Sequence, residues 1–146
     1  MQFESIQAIL NDFIPLVEGF TSLPKWDFKQ WSWGYGTAAG FDRDKRPKGI
    51  ITKEQALSDS SKQWLKDFNI LYPLIKKSLN PSQWAALLSF SYNEGIGSAE
   101  KLVDDINTNS PGLEAHWKEY VYAGGVKNGD LLARRNKEWK LWLENL

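Results

Sequence analysis

The amino-acid sequence predicts an α+β fold, mainly α, with one small β-hairpin or sheet part at about residues 21–51 inside a single domain of residues 1–146. Three observations predict it. Apolar side chains recur at three- and four-residue steps on both sides of that stretch, which is how a helix presents one buried face. Within the stretch, Gly, Pro, Trp and charged residues crowd together, and Trp31-Ser32-Trp33-Gly34-Tyr35-Gly36-Thr37 alternates large with small residues as a short strand does. The chain also has no internal repeat and no low-complexity linker, and its length suits one core.

Taken in order, the first helix is expected on Phe3, Ile6, Ile9, Leu10, Phe13, Leu16 and Val17. Pro15 lacks an N–H and its ring crowds the preceding turn, so a kink or break is expected near Asp12-Phe13. This periodicity ends at Glu18-Gly19. In the β-rich part, Ala38-Ala39-Gly40 reads as a turn and residues 42–48 as an exposed loop. Thr52-Lys53-Glu54-Gln55 is a capping box that opens a second helix carrying Ala56, Leu57, Trp64, Leu65 and Phe68, with Pro73 near its end. Asn80 as cap and Pro81 at the first helical position start a third. Residues 82–92 carry the apolar Trp84, Ala85, Ala86, Leu87, Leu88 and Phe90, so this helix is expected to be the buried central one, stopped by Gly95-Ile96-Gly97. Helical segments follow near residues 99–107 and 112–122, then a Gly124-Gly125 turn and a last helix at about residues 131–143.

Composition narrows the chemistry. With no cysteine there is no disulfide framework, no thiol nucleophile and no thiolate metal site. His116 is the only histidine, which leaves a Ser-His-Asp triad one candidate base and excludes multi-histidine metal sites. The 18 basic residues balance 18 acidic ones, which argues against electrostatic capture of nucleic acid. No run approaches the roughly 18 apolar residues of a membrane span. The start, Met1-Gln2-Phe3-Glu4, lacks a basic segment followed by an apolar one, so synthesis in the cytoplasm without a targeting signal is expected. What remains is a domain without cofactor or metal, whose acid–base chemistry falls to carboxylates.

Two carboxylates stand out at the junction between the first helix and the β-rich part. Glu18 ends the helix beside Gly19, where the negative end of the helix dipole and any apolar neighbours disfavour an ionised group, as suits a proton donor. Asp27 follows in a more polar setting, flanked by Trp26, Phe28 and Lys29. Two carboxyl groups in different surroundings can divide acid and base roles, as in glycoside hydrolysis. Ser32, at the start of the strand, has a hydroxyl able to hold a water. The plain alternative is that a Glu at a helix end and an Asp in a loop are solvated surface groups.

These residues stand in a wider pattern. Glu18-Gly19-Phe20, then Trp26-Asp27 and Trp31-Ser32-Trp33-Gly34-Tyr35-Gly36-Thr37, resemble the phage-type lysozymes and endolysins of glycoside hydrolase family 24. That family's signature is a Glu-Gly, an Asp in the following loop, and a Thr-or-Ser-x-Gly-Tyr-Gly strand. The likeness continues at Gly49-Ile50-Ile51-Thr52 and at Ala86-Leu87-Leu88-Ser89-Phe90-Ser91-Tyr92-Asn93-Glu94-Gly95. It closes with Tyr122-Ala123-Gly124-Gly125 and with Arg134-Arg135-Asn136-Lys137-Glu138, all in family order.

The resemblance implies a lysozyme-like fold, a small β lobe and a helical lobe with the polysaccharide in the cleft between them. It makes Glu18 the general acid and Asp27 the residue that positions or deprotonates water, with Ser32 in place of the family's usual threonine. Two departures stand out: Thr37 occupies the position of a frequent His, and the spacing from Glu18 through Asp27 to Ser32 is about one residue shorter than in some relatives. Room for a water needs roughly 6.5–9.5 Å between the carboxyl groups and gives inversion, whereas about 5 Å gives retention. The family favours the water route.

Further candidates for substrate binding or support are Trp26, Tyr35, Thr37, Asn93 and Arg135. Trp26 can stack on a sugar ring, or belong to the core as tryptophans usually do. Asn93 can bond an N-acetyl group, or cap its helix. Arg135 or Arg134 can reach Glu18, or pair with Glu138 along one helix face. His116 reads as a surface or partly packed helix residue, and the basic end of the loop at residues 42–48 as solvated or in touch with an anionic wall polymer.

The function expected is an endolysin that hydrolyses the β-1,4 bond between N-acetylmuramic acid and N-acetylglucosamine in peptidoglycan, for host cell lysis. The resemblance further implies a monomer held in the host bacterial cytoplasm until a holin releases it to the wall, with no stable membrane insertion. The alternatives are a non-catalytic peptidoglycan-binding module and membrane disruption by the basic amphipathic C-terminal helix.

Overall fold

The computed structural model describes residues 3–27 and 29–146, so Phe28, expected beside Asp27, lies outside the described residues. The elements run α1 (Phe3–Val17), β1 (Thr21–Trp26), β2 (Trp31–Gly34), β3 (Thr37–Gly40), α2 (Lys53–Leu71), α3 (Pro81–Glu94), α4 (Ile96–Asn107), α5 (Leu113–Trp117), β4 (Tyr122–Ala123), β5 (Val126–Lys127) and α6 (Gly129–Leu143). They divide into two compact units, one of Leu10–Gln63 and one of residues up to Ile9 together with Trp64–Leu146.

The break expected in α1 does not occur: the helix is continuous through Pro15. Pro15 is exposed and lies in the last turn, so it forfeits one intrahelical bond, and the Glu18 amide still donates to the Ile14 carbonyl at 2.8 Å. Ile6, Leu10 and Ile14 form the buried stripe at i, i+4, i+8, whereas Leu16 is 68% exposed, against expectation.

In the first-named unit, β1, β2 and β3 form an antiparallel sheet in chain order, with Lys25 opposite Ser32 and Trp33 opposite Thr37. The expected strand over residues 31–37 is therefore two strands and a turn, and the residues read as a turn, 38–40, belong to β3. The cause is backbone handedness. Gly34 and Gly36 both have positive φ (61° and 91°), which reverses the chain between Trp33 and Thr37. The returning chain is tied back where the Ile51 amide donates to the Ser22 carbonyl at 2.9 Å. Thr52 and Gln55 then make the expected capping box of α2, with bonds of 3.0 and 3.1 Å.

In the other unit, α3 is the buried central helix. Every residue from Ser82 to Ser91 is buried, and the Asn80–Gln83 capping box opens it as expected. Gly95, with φ 91°, ends α3, but α4 starts at once at Ile96 instead of near residue 99. The helix expected over residues 112–122 is the five-residue α5 followed by the β4–β5 hairpin. Gly124 and Gly125 both have positive φ (58° and 79°), the geometry that a two-residue hairpin turn demands, and Tyr122 pairs with Lys127. Asn128 caps α6 by accepting from the Leu131 amide at 3.0 Å. Phe90 and Trp117 meet edge to face, and Trp117 also contacts Trp139 and Trp142, so the aromatic residues of α3, α5 and α6 pack on one another. Among the described residues no helix is long and apolar enough to cross a membrane.

Candidate active site

Glu18 follows the last turn of α1 and is half-buried. Its Oε2 lies against the β2–β3 turn, 3.9 Å from where a Cβ on Gly36 would stand. Beside it, the Phe20 and Tyr35 rings meet at 5.4 Å, and the Lys53 ammonium sits 5.8 Å from the Phe20 ring. Tyr35 is buried, so it supports this corner from within. The Gly34-Tyr35-Gly36 turn thus places one carboxylate oxygen beside bare backbone.

Asp27 is exposed and closes the β1–β2 hairpin. Its amide donates to the Gln30 carbonyl at 2.9 Å, while its Oδ1 accepts from the amides of Lys29 (2.9 Å) and Gln30 (3.0 Å). These bonds fix the carboxylate through one oxygen. Oδ2 makes no hydrogen bond to a described residue, which leaves it for a water or a hydroxyl. Ser32 is half-buried on the central strand β2, and its hydroxyl also has no partner among the described residues. Thr37 Oγ1 is buried without a hydrogen bond among them.

Trp26 is half-buried at the end of β1, edge to face with Trp31 at 5.6 Å. The Arg43 guanidinium lies 6.0 Å from its ring centroid. A sugar stacking on Trp26 therefore uses its other face or displaces Arg43.

Asn93 and Arg135 belong to the α3–α6 side. Arg135 donates to the Asn93 Oδ1 at 2.5 Å, so Asn93 is neither a free cap nor an unheld amide. Arg135 is fully buried and pairs with Glu138 at 3.0 Å, with Glu94 at 3.8 Å from its guanidinium. Arg134 pairs with the same Glu138 at 3.2 Å, and Ser89 and Trp117 donate to it at 2.6 and 3.2 Å. The pairing with Glu138 that the spacing suggests is present, but in the interior and not on a surface face. Burial raises Glu94 above its ordinary carboxylate value; Glu138 adds to the shift, while Arg135 and Arg134 oppose it. Neither Glu94 nor the central place of Glu138 stood out in the sequence, although the i, i+3 and i, i+4 spacing of Arg135 and Arg134 to Glu138 carried the signal. His116 is exposed and contacts Asp105.

Residues 16–138 match the Phage lysozyme family. The chain belongs to the phage lysozyme family. It is 29% identical over 120 residues to the endolysin of Bacillus phage PZA, a match covering 78% of this chain and 44% of that one. The chain thus spans less than half the length of that curated relative. Among solved structures, the muramidase domain of SpmX from Asticaccaulis excentricus superposes with a TM-score of 0.80 at 21% identity, over 92% of this chain and 95% of that domain. The endolysin from Escherichia coli O157:H7 phage FAHEc1 gives 0.78 at 24% identity, over 94% and 92%. The mainly helical fold with a small antiparallel sheet is therefore lysozyme-like, and Glu18, Asp27 and Ser32 all fall inside the segment that matches the family.

Proposed function

We propose that this phage lysozyme family member is a peptidoglycan hydrolase that cleaves the β-1,4 bond between N-acetylmuramic acid and N-acetylglucosamine. The observation that carries the reading is the pair of carboxylates held in different ways on one small unit. Glu18 is half-buried against the Gly36 backbone, while Asp27 is exposed and anchored through a single oxygen. Glu18 protonates the glycosidic oxygen as the bond breaks. Asp27 orients a water through its remaining oxygen, Ser32 holds that water with its hydroxyl, and the product inverts. Tyr35 and Thr37 support the turn that holds Glu18, Trp26 offers an aromatic face to the saccharide, and Arg135 holds the Asn93 amide in place for an N-acetyl group. In this reading the protein acts as a monomer on the wall during host lysis, reaching it from the cytoplasm once a separate holin opens the membrane.

Glu18→Gln tests it. General acid catalysis contributes about 10²–10⁴-fold, so clearing of a peptidoglycan suspension by the folded variant should fall by that factor. Mass spectrometry of the digest should show reducing N-acetylmuramic acid ends from the unaltered protein. Full activity in Glu18→Gln, or binding to peptidoglycan without release of reducing ends, overturns the proposal.

A further inference from the structure

The zero net charge of the chain conceals an uneven distribution. Residues 21–51 carry six basic and three acidic side chains, leaving twelve basic and fifteen acidic ones elsewhere. Four of the six, Arg43, Lys45, Arg46 and Lys48, are exposed on the loop between β3 and α2. None of these four, nor Lys25 on β1, has a carboxylate of a described residue within ion-pair distance.

This loop is held against the sheet. The Trp31 indole donates to the Asp42 carbonyl at 2.8 Å, and Arg46 donates to the Pro24 carbonyl at 3.3 Å. A Cβ on Gly40 would meet Pro47 at 3.7 Å and Trp31 at 3.8 Å, so the loop closes tightly over the strand end. Two of the cations rest on aromatic rings: Arg43 at 6.0 Å from Trp26 and Arg46 at 5.9 Å from Trp31. A guanidinium on an aromatic face loses part of its freedom but keeps the N–H groups in its plane for acceptors.

We propose that residues 41–49 and the Trp26–Trp31 edge beneath them bind a phosphodiester-linked polyol chain of the bacterial wall. The proposal rests on the wall-hydrolase reading, which brings such a polymer to the protein. Charge complementarity selects the occupant. A polymer with one negative charge per repeat can meet four exposed cations in succession, and a phosphodiester offers the two oxygens that the guanidinium fork engages together. A carboxylate can engage the same fork, so it is the wall-hydrolase reading that brings a phosphodiester polymer to these cations. The surface lies on the same unit as Glu18 and Asp27, so polymer bound there keeps the catalytic unit near the glycan.

The test titrates the full chain with lipid-free poly(glycerol phosphate), following tryptophan fluorescence at several salt concentrations. Saturable binding is expected, with log K falling by roughly 0.7 per neutralised charge for each tenfold rise in salt. Arg43→Gln/Arg46→Gln should weaken binding at least tenfold and lower the slope by about 1–2. Hydrolysis of peptidoglycan stripped of phosphate polymer should stay unchanged in Lys45→Gln/Lys48→Gln. Lys45→Gln/Lys48→Gln, whose side chains bond no described residue, should also weaken binding and guards against a folding artefact at Arg46. No binding overturns the proposal. So does unchanged binding in both variants, equal binding to polyglutamate of matched charge, or tighter binding to duplex DNA. Hydrolysis without polymer binding removes the surface and keeps the enzyme; binding without hydrolysis removes the enzyme reading.

Discussion

Gly34 ends β2 with φ 61°, and a Cβ placed there would stand 2.9 Å from the Ala56 Cβ in the first turn of α2. Gly36, two residues on, has φ 91°, but a Cβ there would meet only the Glu18 Oε2, at 3.9 Å. One glycine is needed for close approach as well as conformation, the other chiefly for conformation. Gly34→Ala should therefore cost about 1–3 kcal/mol from overpacking in addition to the backbone strain. Gly36→Ala should cost about 1–2 kcal/mol from the left-handed backbone alone. A denaturant-unfolding cycle with Ala56→Gly separates the two. Relieving the clash should recover part of the Gly34→Ala loss and none of the Gly36→Ala loss. Equal rescue of both, or of neither, would show that a clash with the Ala56 methyl is not what makes Gly34→Ala costly.

At the scale of elements, α6 carries a buried charge network that reaches α3 through Ser89, Asn93 and Glu94. Arg134, Arg135 and Glu138 are each at most 4% exposed, and two guanidinium groups share one carboxylate. Such a network adds little over apolar packing, but removing one member strands the others. Glu138→Leu should destabilise the fold by about 3–5 kcal/mol, read as a shift in the urea midpoint with unchanged m-value. A loss below about 1 kcal/mol would mean that water or another carboxylate takes over at Arg134 and Arg135.

The elements also show how far local sequence reaches. The capping boxes at Thr52–Gln55 and Asn80–Gln83 set their helix starts because the partners sit three residues apart. Motif order singles out Glu18, Asp27 and Ser32 as candidates, but the anchoring of Asp27 by the Lys29 and Gln30 amides depends on how the hairpin closes. The burial of Glu138 was hidden because its spacing to Arg134 and Arg135 fits an exposed face equally well. Gly34-Tyr35-Gly36 looked like strand because alternation in size continues across a turn whose cause is backbone φ. The same applies to Gly124-Gly125, where the turn was visible but the two-residue strands beside it were too short to carry a pattern.

For the molecule as a whole, two groups bend stability against pH in the same direction. Glu94 is raised above its ordinary 4.5 by burial first, with Glu138 adding and Arg135 and Arg134 subtracting. A carboxyl raised in the folded state favours the fold fully below 4.5, and that contribution is lost as pH climbs through the raised value. His116 is raised above 6.5 by its bond to Asp105 and by that carboxylate's charge. Its contribution is complete below 6.5 and is lost as pH rises through its own raised value. Thermal midpoints measured from pH 4 to pH 9 should therefore decline in two steps, the first beginning above 4.5 and the second above 6.5. Glu94→Gln should flatten the first step and leave the second. His116→Gln should flatten the second and leave the first, by a smaller amount, because His116 and its charge face solvent and salt. A midpoint that rises across either window in the unaltered protein would reverse the sign argued for that group. The two variants locate the effect because Glu94 lies beside the α3–α6 charge network and His116 beside Asp105 of α4.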